Sequence, residues 1–385
     1  MSKKKKPDTL SDYRSTIDEL DKQIIDRLAE RHRIVREVFS AKISGTTRIR
    51  DHEREELLLK RVRDMAVDSG LDPYFAEQLF RDIIYQSVRY QSHSLLDHQN
   101  DMYDERSITV AYQGTDGAFS HQAAMRHFHE RYDDIRCNGF RTFEQAATAV
   151  EQGQADVAIL PVENTTAGSI NDTYDLLGEK NLHIIGEEVL RIVHCLMAPE
   201  QVQLENIRRV LSHPQAIAQC SRFLAKLPRC KIESYDDTAM AAQKVRDEAD
   251  LSQAAIASAY AADLYGLHIL VKDIANQSEN FTRFVVVSRN PVECDSQLLC
   301  KTSLMLATVH EKGALFKCLQ VLNKHGISMT KLESRPRHGK PWQYLFYMDI
   351  EGNSKDPAVR RALKELEARA AFMKVLGCYA AQNQE

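Results

Sequence analysis

Hydrophobic positions in the first hundred residues recur every three to four residues, the spacing that puts side chains on one face of an α-helix. This pattern predicts three helices, over about Asp12–Ser44, Asp51–Val67 and Pro73–Leu96, separated at Gly45 and Gly70. The first is long for a globular helix. We therefore expect it to pair along its length with another helix, in the same chain or in a second one.

From Ser107 onward the pattern changes to short apolar runs that alternate with helical stretches, as in sheets flanked by helices. It predicts a mainly parallel sheet, in one domain or in two lobes with a cleft, where ligands gather at the loops after the strands. The predicted strands are Ile108–Tyr112, Ala155–Val162, Arg209–Leu211, Ala254–Ala257 and Phe284–Ser288, and the predicted helices are Thr142–Gln152, Ala216–Leu227 and Thr238–Glu248.

A third pattern follows the polar stretch Asn290–Gln297. Its strands and helices come in the order βαββαβ, which is the ferredoxin-like arrangement. The polar stretch His98–Arg106 is expected to be a linker between the first two segments. We therefore expect three domains, over residues 9–97, 106–289 and 299–381.

Composition narrows the possible classes of protein. With 43% hydrophobic and 28% charged residues, the 385-residue chain is typical of soluble globular proteins, and it lacks the roughly 20-residue apolar run of a membrane span. The lysines of segment 3–6 are not followed by the apolar stretch of a signal peptide, so we expect a cytoplasmic protein without a membrane partner. A net charge of −4, with 19 Lys+Arg against 18 Asp+Glu in residues 1–100, argues against nucleic acid as a partner.

Eight cysteines are scattered through the chain without a C-x-x-C pair, so we expect neither a disulfide framework nor a metal site. The chain also lacks the Gly-x-Gly-x-x-Gly loop of dinucleotide-binding domains. These observations give no indication of a metal or a dinucleotide cofactor, and we expect neither.

Several polar residues of the helical segment fall at spacings that let them share a site. Arg31 and Lys42 are eleven residues apart, close to three full turns, and therefore lie on one stripe of the first helix. Arg14 lies about 25 Å from Arg31 along that helix, so only an antiparallel partner helix could bring it to the same pocket. The further candidates, at spacings of three or four residues on the other two helices, are Asp51, Arg54, Glu55, Ser87 and Gln91.

In order and spacing these residues resemble the all-helical chorismate mutases. The resemblance implies an intertwined homodimer in which Arg14 crosses to the partner's site. It also implies that Arg14 and Arg31 bind substrate carboxylates and that Lys42 and Gln91 contact the ether oxygen of chorismate. Asp51 and Glu55 would bind the substrate hydroxyl and shape the pocket, which Arg54 and Ser87 would help to line. The implied reaction is a unimolecular rearrangement that needs orientation and charge stabilisation alone.

Four polar clusters accompany the strands of the second segment. Each alone is weak evidence, because Gly/Ser/Thr loops are common turns. Together they resemble the loops of prephenate dehydratase. The resemblance implies a two-lobed fold like that of periplasmic binding proteins. Thr115 and Ala216-Ile217 depart from the family pattern. The resemblance implies that Thr282 is the general acid and that Asn164, Thr165, Ser212, Gln215 and Arg283 bind substrate. The clusters are 114–121, 161–169, 212–215 and 280–284.

The third segment resembles the ACT domains of this enzyme family in two motifs, Gly313-Ala314-Leu315 and Glu333-Ser334-Arg335. The resemblance implies that both motifs bind phenylalanine at a subunit interface, with feedback inhibition and a higher oligomer when effector is bound. The expected whole is a mutase fused to a dehydratase and a regulatory domain, with chorismate and prephenate as substrates.

Three alternatives remain open at this level. A ligand-responsive transcription regulator would explain the domain order, although the first helix is too long for a helix-turn-helix unit. An enzyme with one inactive site retained for assembly is a second alternative. A mutase fused to a dehydrogenase is the third, and the missing dinucleotide-binding loop argues against it.

Overall fold

The computed structural model describes residues 10–42, 51–99, 107–227, 229–295, 298–309, 311–336 and 344–382. Gly45, the lysines of segment 3–6 and most of the expected linker, residues 100–106, lie outside the described residues. The chain divides after Leu95 into two compact units. None of the helices in the described ranges is both long and apolar enough to cross a membrane.

The first unit is helical, as the periodicity predicts. Its helices are α1 (Leu10–Lys42), α2 (His52–Asp68) and α3, which begins at Pro73 and ends at Gln99. Asp51 caps α2, since its Oδ1 accepts a hydrogen bond from the Arg54 backbone N–H at 3.0 Å. A small core joins α2 to α3; it consists of Val62, Ala66 and Ala76, with Leu58 and Phe80 packed against it.

Much of the apolar face of α1 remains exposed. Ile17 is 55% exposed, Leu20 is 50% exposed and Ile24 is 55% exposed. Because these positions define the helical periodicity, α1 presents to solvent the face that a helix normally buries.

The second unit begins with two α/β lobes. The first lobe has a six-stranded sheet in the order β2-β1-β3-β11-β5, with β4 paired to β3. Its strands are β1 (Ser107–Gln113), β2 (Asp134–Phe140), β3 (Val157–Asn164), β4 (Gly168–Ser169), β5 (His183–Arg191) and β11 (Phe281–Ser288), and its helices are α4 (Phe119–Phe128), α5 (Phe143–Glu151) and α6 (Asn171–Glu179).

The second lobe has a five-stranded sheet in the order β10-β6-β9-β7-β8. Its strands are β6 (Cys195–Ala198), β7 (Arg209–Ser212), β8 (Lys231–Ser234), β9 (Gln253–Ala257) and β10 (His268–Val271), and its helices are α7 (Pro214–Gln219), α8 (Ser221–Leu224), α9 (Thr238–Glu248) and α10 (Ala259–Tyr265).

The expectation of a mainly parallel sheet is wrong in detail, because both sheets are mixed. In the first lobe β1 pairs in parallel with β2 and β3, but β11 returns from the second lobe and lies antiparallel between β3 and β5. The expected helix Ala216–Leu227 is also broken at Cys220. There the Asn276 side chain accepts the Arg222 N–H at 3.0 Å and donates to the Ala218 carbonyl at 3.2 Å.

The C-terminal domain has the predicted βαββαβ order in an antiparallel sheet, β13-β14-β12-β15. One face of the sheet packs on two helices and the other packs into the first lobe, where β15 passes so close to β5 that a Cβ on Gly377 would collide with the Ile184 carbonyl oxygen. The elements are β12 (Cys300–Thr308), α11 (Ala314–Lys324), β13 (Met329–Pro336), β14 (Tyr344–Glu351), α12 (Pro357–Arg369) and β15 (Ala370–Ala380).

Candidate functional sites

A cavity of about 750 Å³ is lined by residues of both α/β lobes. The first lobe contributes the loop after β1, the start of α5, the end of β3 and part of α6, and the second contributes the starts of α7 and α9. Asn164, Gln215 and Thr282 of the sequence-predicted set line this cavity. Loops at the ends of the central strands therefore form the site, as expected for open α/β sheets.

Asn164 and Thr282 form the best-defined polar pair in the cavity. They lie opposite each other on β3 and β11, both are buried, and Asn164 Nδ2 donates to Thr282 Oγ1 at 2.9 Å. The Asn164 Oδ1 accepts from the Ala167 N–H at 2.9 Å, which fixes the amide with its NH₂ group toward Thr282. Among the described residues no acceptor is in hydrogen-bond range of the Thr282 hydroxyl proton, so a ligand could receive it.

Gln219, which the sequence analysis missed, connects the two lobes at this pair. Its Nε2 donates to Thr166 Oγ1 at 2.6 Å, and Thr166 in turn donates to Asn164 at 2.7 Å. Its Oε1 lies 2.8 Å from the His194 Nε2, an arrangement that suits an imidazole donating from Nε2, and burial lowers the pKa of His194. Gln219 lies four residues after Gln215 on the same helical face, a signal available in the sequence.

A buried carboxylate gives a second connection between the lobes. Asp237 caps α9 by accepting the Ala239 N–H at 2.6 Å, and its other oxygen accepts the Thr115 N–H of the first lobe at 3.2 Å. Burial raises the pKa of Asp237, against which these backbone hydrogen bonds act. The loop after β1 is thereby held against the second lobe.

Two predicted substrate-binding hydroxyls have structural partners instead. Ser212 is fully buried and donates to the Ile256 carbonyl at 2.6 Å. Thr165 Oγ1 accepts the Phe281 N–H at 2.9 Å and so ties the loop after β3 to the start of β11. Neither side chain lines the cavity, although each is next in the chain to a residue that does, Ser212 to His213 and Thr165 to Asn164.

Arg283 lies outside the cavity, contrary to the expectation that it binds substrate. Side chains alternate along a strand, so Thr282 and Arg283 point to opposite faces of the sheet. The guanidinium donates to Glu187 of β5 at 2.7 Å and to two residues of the C-terminal domain, Asp349 at 2.6 Å and Tyr379 at 2.9 Å. Burial alone would lower the pKa of Arg283, but the Tyr379, Glu187 and Asp349 oxygens raise it, so the group stays charged.

The helical unit brings together part of the first predicted constellation. Arg31 Nη1 donates to Ser87 Oγ at 2.6 Å across α1 and α3, and burial lowers the pKa of Arg31. Gln91 lies one turn beyond Ser87 and is 8% exposed. Arg14, Arg54 and the N-cap Asp51 are exposed and Glu55 is half-buried, while the side chain of Lys42 lies outside the described residues.

The predicted regulatory motifs lie at the first helix and the edge strand of the C-terminal domain. Gly313 precedes α11 with φ of +75°, a conformation that favours glycine, and Ala314 and Leu315 open the helix. Glu333 Oε2 accepts from Ser169 Oγ at 2.7 Å. The nearby Arg335 forms an ion pair with Asp175 at 2.8 Å, whereas no side-chain partner is found for Ser334 among the described residues. The β13 motif thus contacts the first lobe, at segments that follow Asn164.

Comparison with known proteins agrees with this architecture. Residues 13–92 match chorismate mutase type II, residues 110–292 match prephenate dehydratase and residues 304–368 match the ACT domain. The bifunctional chorismate mutase/prephenate dehydratase of Escherichia coli K12 is 40% identical over 370 residues, 96% of each chain.

Two solved structures resemble the second unit. A prephenate dehydratase from Arthrobacter aurescens in complex with L-Phe is 29% identical, with a TM-score of 0.64, and the match covers 72% of this chain and 91% of that one. GqqA, described as a novel type of quorum quenching acylase, is 36% identical with a TM-score of 0.64, over 71% and 98% of the two chains.

The three matched segments define a multidomain enzyme with an isomerase module, a lyase module and an ACT module. The 40% identity to the Escherichia coli enzyme, which extends over 96% of each chain, narrows this class of enzyme further. The chain belongs to the family of bifunctional chorismate mutase/prephenate dehydratases.

Proposed function

We propose that Thr282 is the general acid of the dehydratase reaction, which converts prephenate to phenylpyruvate. The observation that carries the proposal is the Asn164–Thr282 pair on the cavity wall, with the threonine proton directed to no described acceptor. The proton moves from Oγ1 to the departing ring hydroxyl, which leaves as water. The electrons of the breaking carbon–carboxylate bond fill the ring as carbon dioxide departs.

The environment of Thr282 supports this role. A bare hydroxyl is a poor acid, but the hydrogen bond from Asn164 stabilises the negative charge that develops on Oγ1 as the proton leaves. The gain of aromaticity in the product makes the step easier once the substrate is held. Asn164 and Gln215 would bind substrate directly, and Thr165 and Ser212 would support them through the contacts described above.

The experiment is to supply prephenate to Thr282→Ala and Thr282→Ser. The alanine variant should lose phenylpyruvate formation by about 100-fold or more, in the range of a missing general acid. The serine variant, which keeps the hydroxyl, should retain much more. Equal losses in both variants, with the fold intact by circular dichroism, would contradict an acid role for this hydroxyl.

The helical unit is proposed to rearrange chorismate with the residues that the family resemblance implies. Arg31, fixed by Ser87, would bind a carboxylate, and Lys42 with Gln91 would stabilise charge on the ether oxygen. Asp51, Arg54 and Glu55 would complete the pocket.

The mutase site is proposed to require a homodimer, with Arg14 supplied by the second copy. Support comes from the exposed apolar face of α1, on which Ile17, Leu20 and Ile24 are each about half exposed. A second copy of α1 packed antiparallel would bury this face and bring Arg14 toward the partner's Arg31.

The C-terminal domain is proposed to bind L-phenylalanine through Gly313, Ala314, Leu315, Glu333, Ser334 and Arg335, and to assemble into a higher oligomer when it does. The relative crystallised with L-Phe supports the ligand. The contacts of Glu333 and Arg335 with the first lobe supply a route by which binding would inhibit the dehydratase. We further propose domain limits of 9–97, 106–289 and 299–381 and a cytoplasmic location.

A further inference from the structure

Three cysteine sulfurs converge where the connector, the segment between β11 and β12, enters the C-terminal sheet. Cys294 lies in the connector, Cys300 begins β12 and Cys378 lies on β15. The Sγ atoms lie within 4.8 Å of one another. The strand register explains half of this convergence, because Cys378 pairs with Thr302, two residues beyond Cys300 and on the same face of the sheet.

Two hydrogen bonds support the geometry of the cluster. The Ser354 backbone N–H donates to Cys378 Sγ at 3.4 Å, a contact that stabilises a thiolate. The buried Asn353 side chain donates to the Cys294 carbonyl at 3.0 Å and holds the connector against the sheet. Cys294 and Cys300 are buried and Cys378 is half-buried, so Cys378 is the most accessible residue of the cluster.

We propose that Cys294, Cys300 and Cys378 form a binding site for one thiophilic d¹⁰ metal ion, Zn²⁺ or Cu⁺. Thiolate sulfur selects these ions over Mg²⁺ and Ca²⁺. A zinc–sulfur distance of about 2.3 Å in a tetrahedral site sets the sulfurs about 3.8 Å apart, so they need to close by no more than about 1 Å. A water molecule entering beside the half-buried Cys378 would be the fourth ligand of zinc, whereas Cu⁺ is satisfied by three thiolates.

The bound ion would have a structural role, because none of the three cysteines belongs to either set of candidate catalytic residues. It would fasten the connector, through Cys294, to the two adjacent strands that carry Cys300 and Cys378. Lys301 and Tyr379, one residue further along each strand, contact Glu187 and Arg283 of the first lobe. Metal binding should therefore stiffen the junction through which the C-terminal domain contacts the dehydratase.

The test uses the full chain, purified under anaerobic conditions from cell lysis onward and without added metal. Zn²⁺ is titrated against a chromophoric chelator and Cu⁺ against a copper(I) chelator, and Co²⁺ is added as a spectroscopic probe of thiolate ligation. The variants are Cys294→Ser and Cys378→Ser, so that a folding failure in one leaves the other. Cys230→Ser is the matched control, because Cys230 is also half-buried but lies in the second lobe.

We expect the wild-type chain and Cys230→Ser to bind one equivalent of Zn²⁺ or Cu⁺ and to show thiolate-to-cobalt charge-transfer absorption. The two cluster variants should bind at least about 100-fold more weakly while keeping dehydratase turnover. Three results would overturn the proposal. The chain could fail to take either ion from its chelator, or the cluster variants could bind the ions as tightly as the wild type does. The third result is a native chain whose mass is two hydrogens lower, with a disulfide between two of these cysteines.

Discussion

Replacing Arg283 by methionine tests how the C-terminal domain is held to the catalytic strand. The arginine side chain is 15% exposed, and its partners Glu187 and Asp349 are 0% and 8% exposed. Methionine keeps much of the side-chain volume but removes three hydrogen bonds. Glu187 keeps its bonds from Lys301 at 2.8 and 2.9 Å, whereas Asp349 keeps only Ser303 among its described side-chain partners.

The loss should be large because one partner of a buried ion pair is removed. Such changes cost about 3–5 kcal/mol, since they leave a buried charge uncompensated. Hydrogen exchange at the amides of β11 and β15 measures this cost as a lower free energy of opening. The control is Arg136→Met, whose ion pair with Asp134 lies at the surface, with side chains 68% and 53% exposed, and should cost about 0–1 kcal/mol.

The functional readout separates two roles for Arg283. If it positions β11, the variant should lose kcat and respond less to phenylalanine because the strand that carries Thr282 is loosened. If it binds substrate, as the family resemblance implies, KM should rise while opening of β11 and β15 stays as in the wild type. The second pattern, or a loss of stability no larger than that of Arg136→Met, would refute the structural reasoning.

Three further predictions follow from the sites. Lys42→Ala should abolish prephenate formation from chorismate and leave the dehydratase active on supplied prephenate; comparable mutase turnover would refute the assignment. Arg335→Gln should weaken inhibition by millimolar phenylalanine while uninhibited turnover persists, whereas Arg369→Gln, which removes a surface pair, should be inhibited normally. Burial lowers the pKa of His194 below its ordinary value of 6.5, so the unfolded chain binds this proton more tightly than the folded chain. The free energy of unfolding should therefore fall as the pH drops below 6.5, by up to about 1.4 kcal/mol per pH unit. His194→Gln should flatten this slope in pH-dependent melts, and an unchanged slope would exclude His194 as its source.

The helical and ferredoxin-like elements could be predicted because their patterns are local. Helical periodicity and the glycine at 70 place α2 and the start of α3 within a residue or two of their observed bounds. The βαββαβ order likewise needs only the alternation of periods along the chain.

The hydrophobic pattern did not predict strand β5, because the residues at its centre are charged. Glu187 and Glu188 are adjacent and both fully buried, one facing Arg283 and Lys301 and the other facing His127. A pair of glutamates normally indicates a solvated surface, and only contacts between distant segments compensate their burial.

The direction of a side chain was the main limit at the candidate sites. The motif around Thr282 and Arg283 suggested one shared site, but strand alternation sends the arginine to the opposite face of the sheet. The cysteine cluster was hidden for a related reason. Its members converge through strand pairing across 78 residues of sequence, and motif spacing cannot report such a contact.

One chain carries both consecutive activities, chorismate mutase and prephenate dehydratase, in separate domains. The most direct measurement is to supply chorismate alone to the purified full-length chain and to follow prephenate and phenylpyruvate by mass spectrometry. Prephenate should form first and phenylpyruvate should follow, and Thr282→Ala should stop the sequence at prephenate. Chorismate left unchanged, or phenylpyruvate still formed by Thr282→Ala at the wild-type rate, would contradict it.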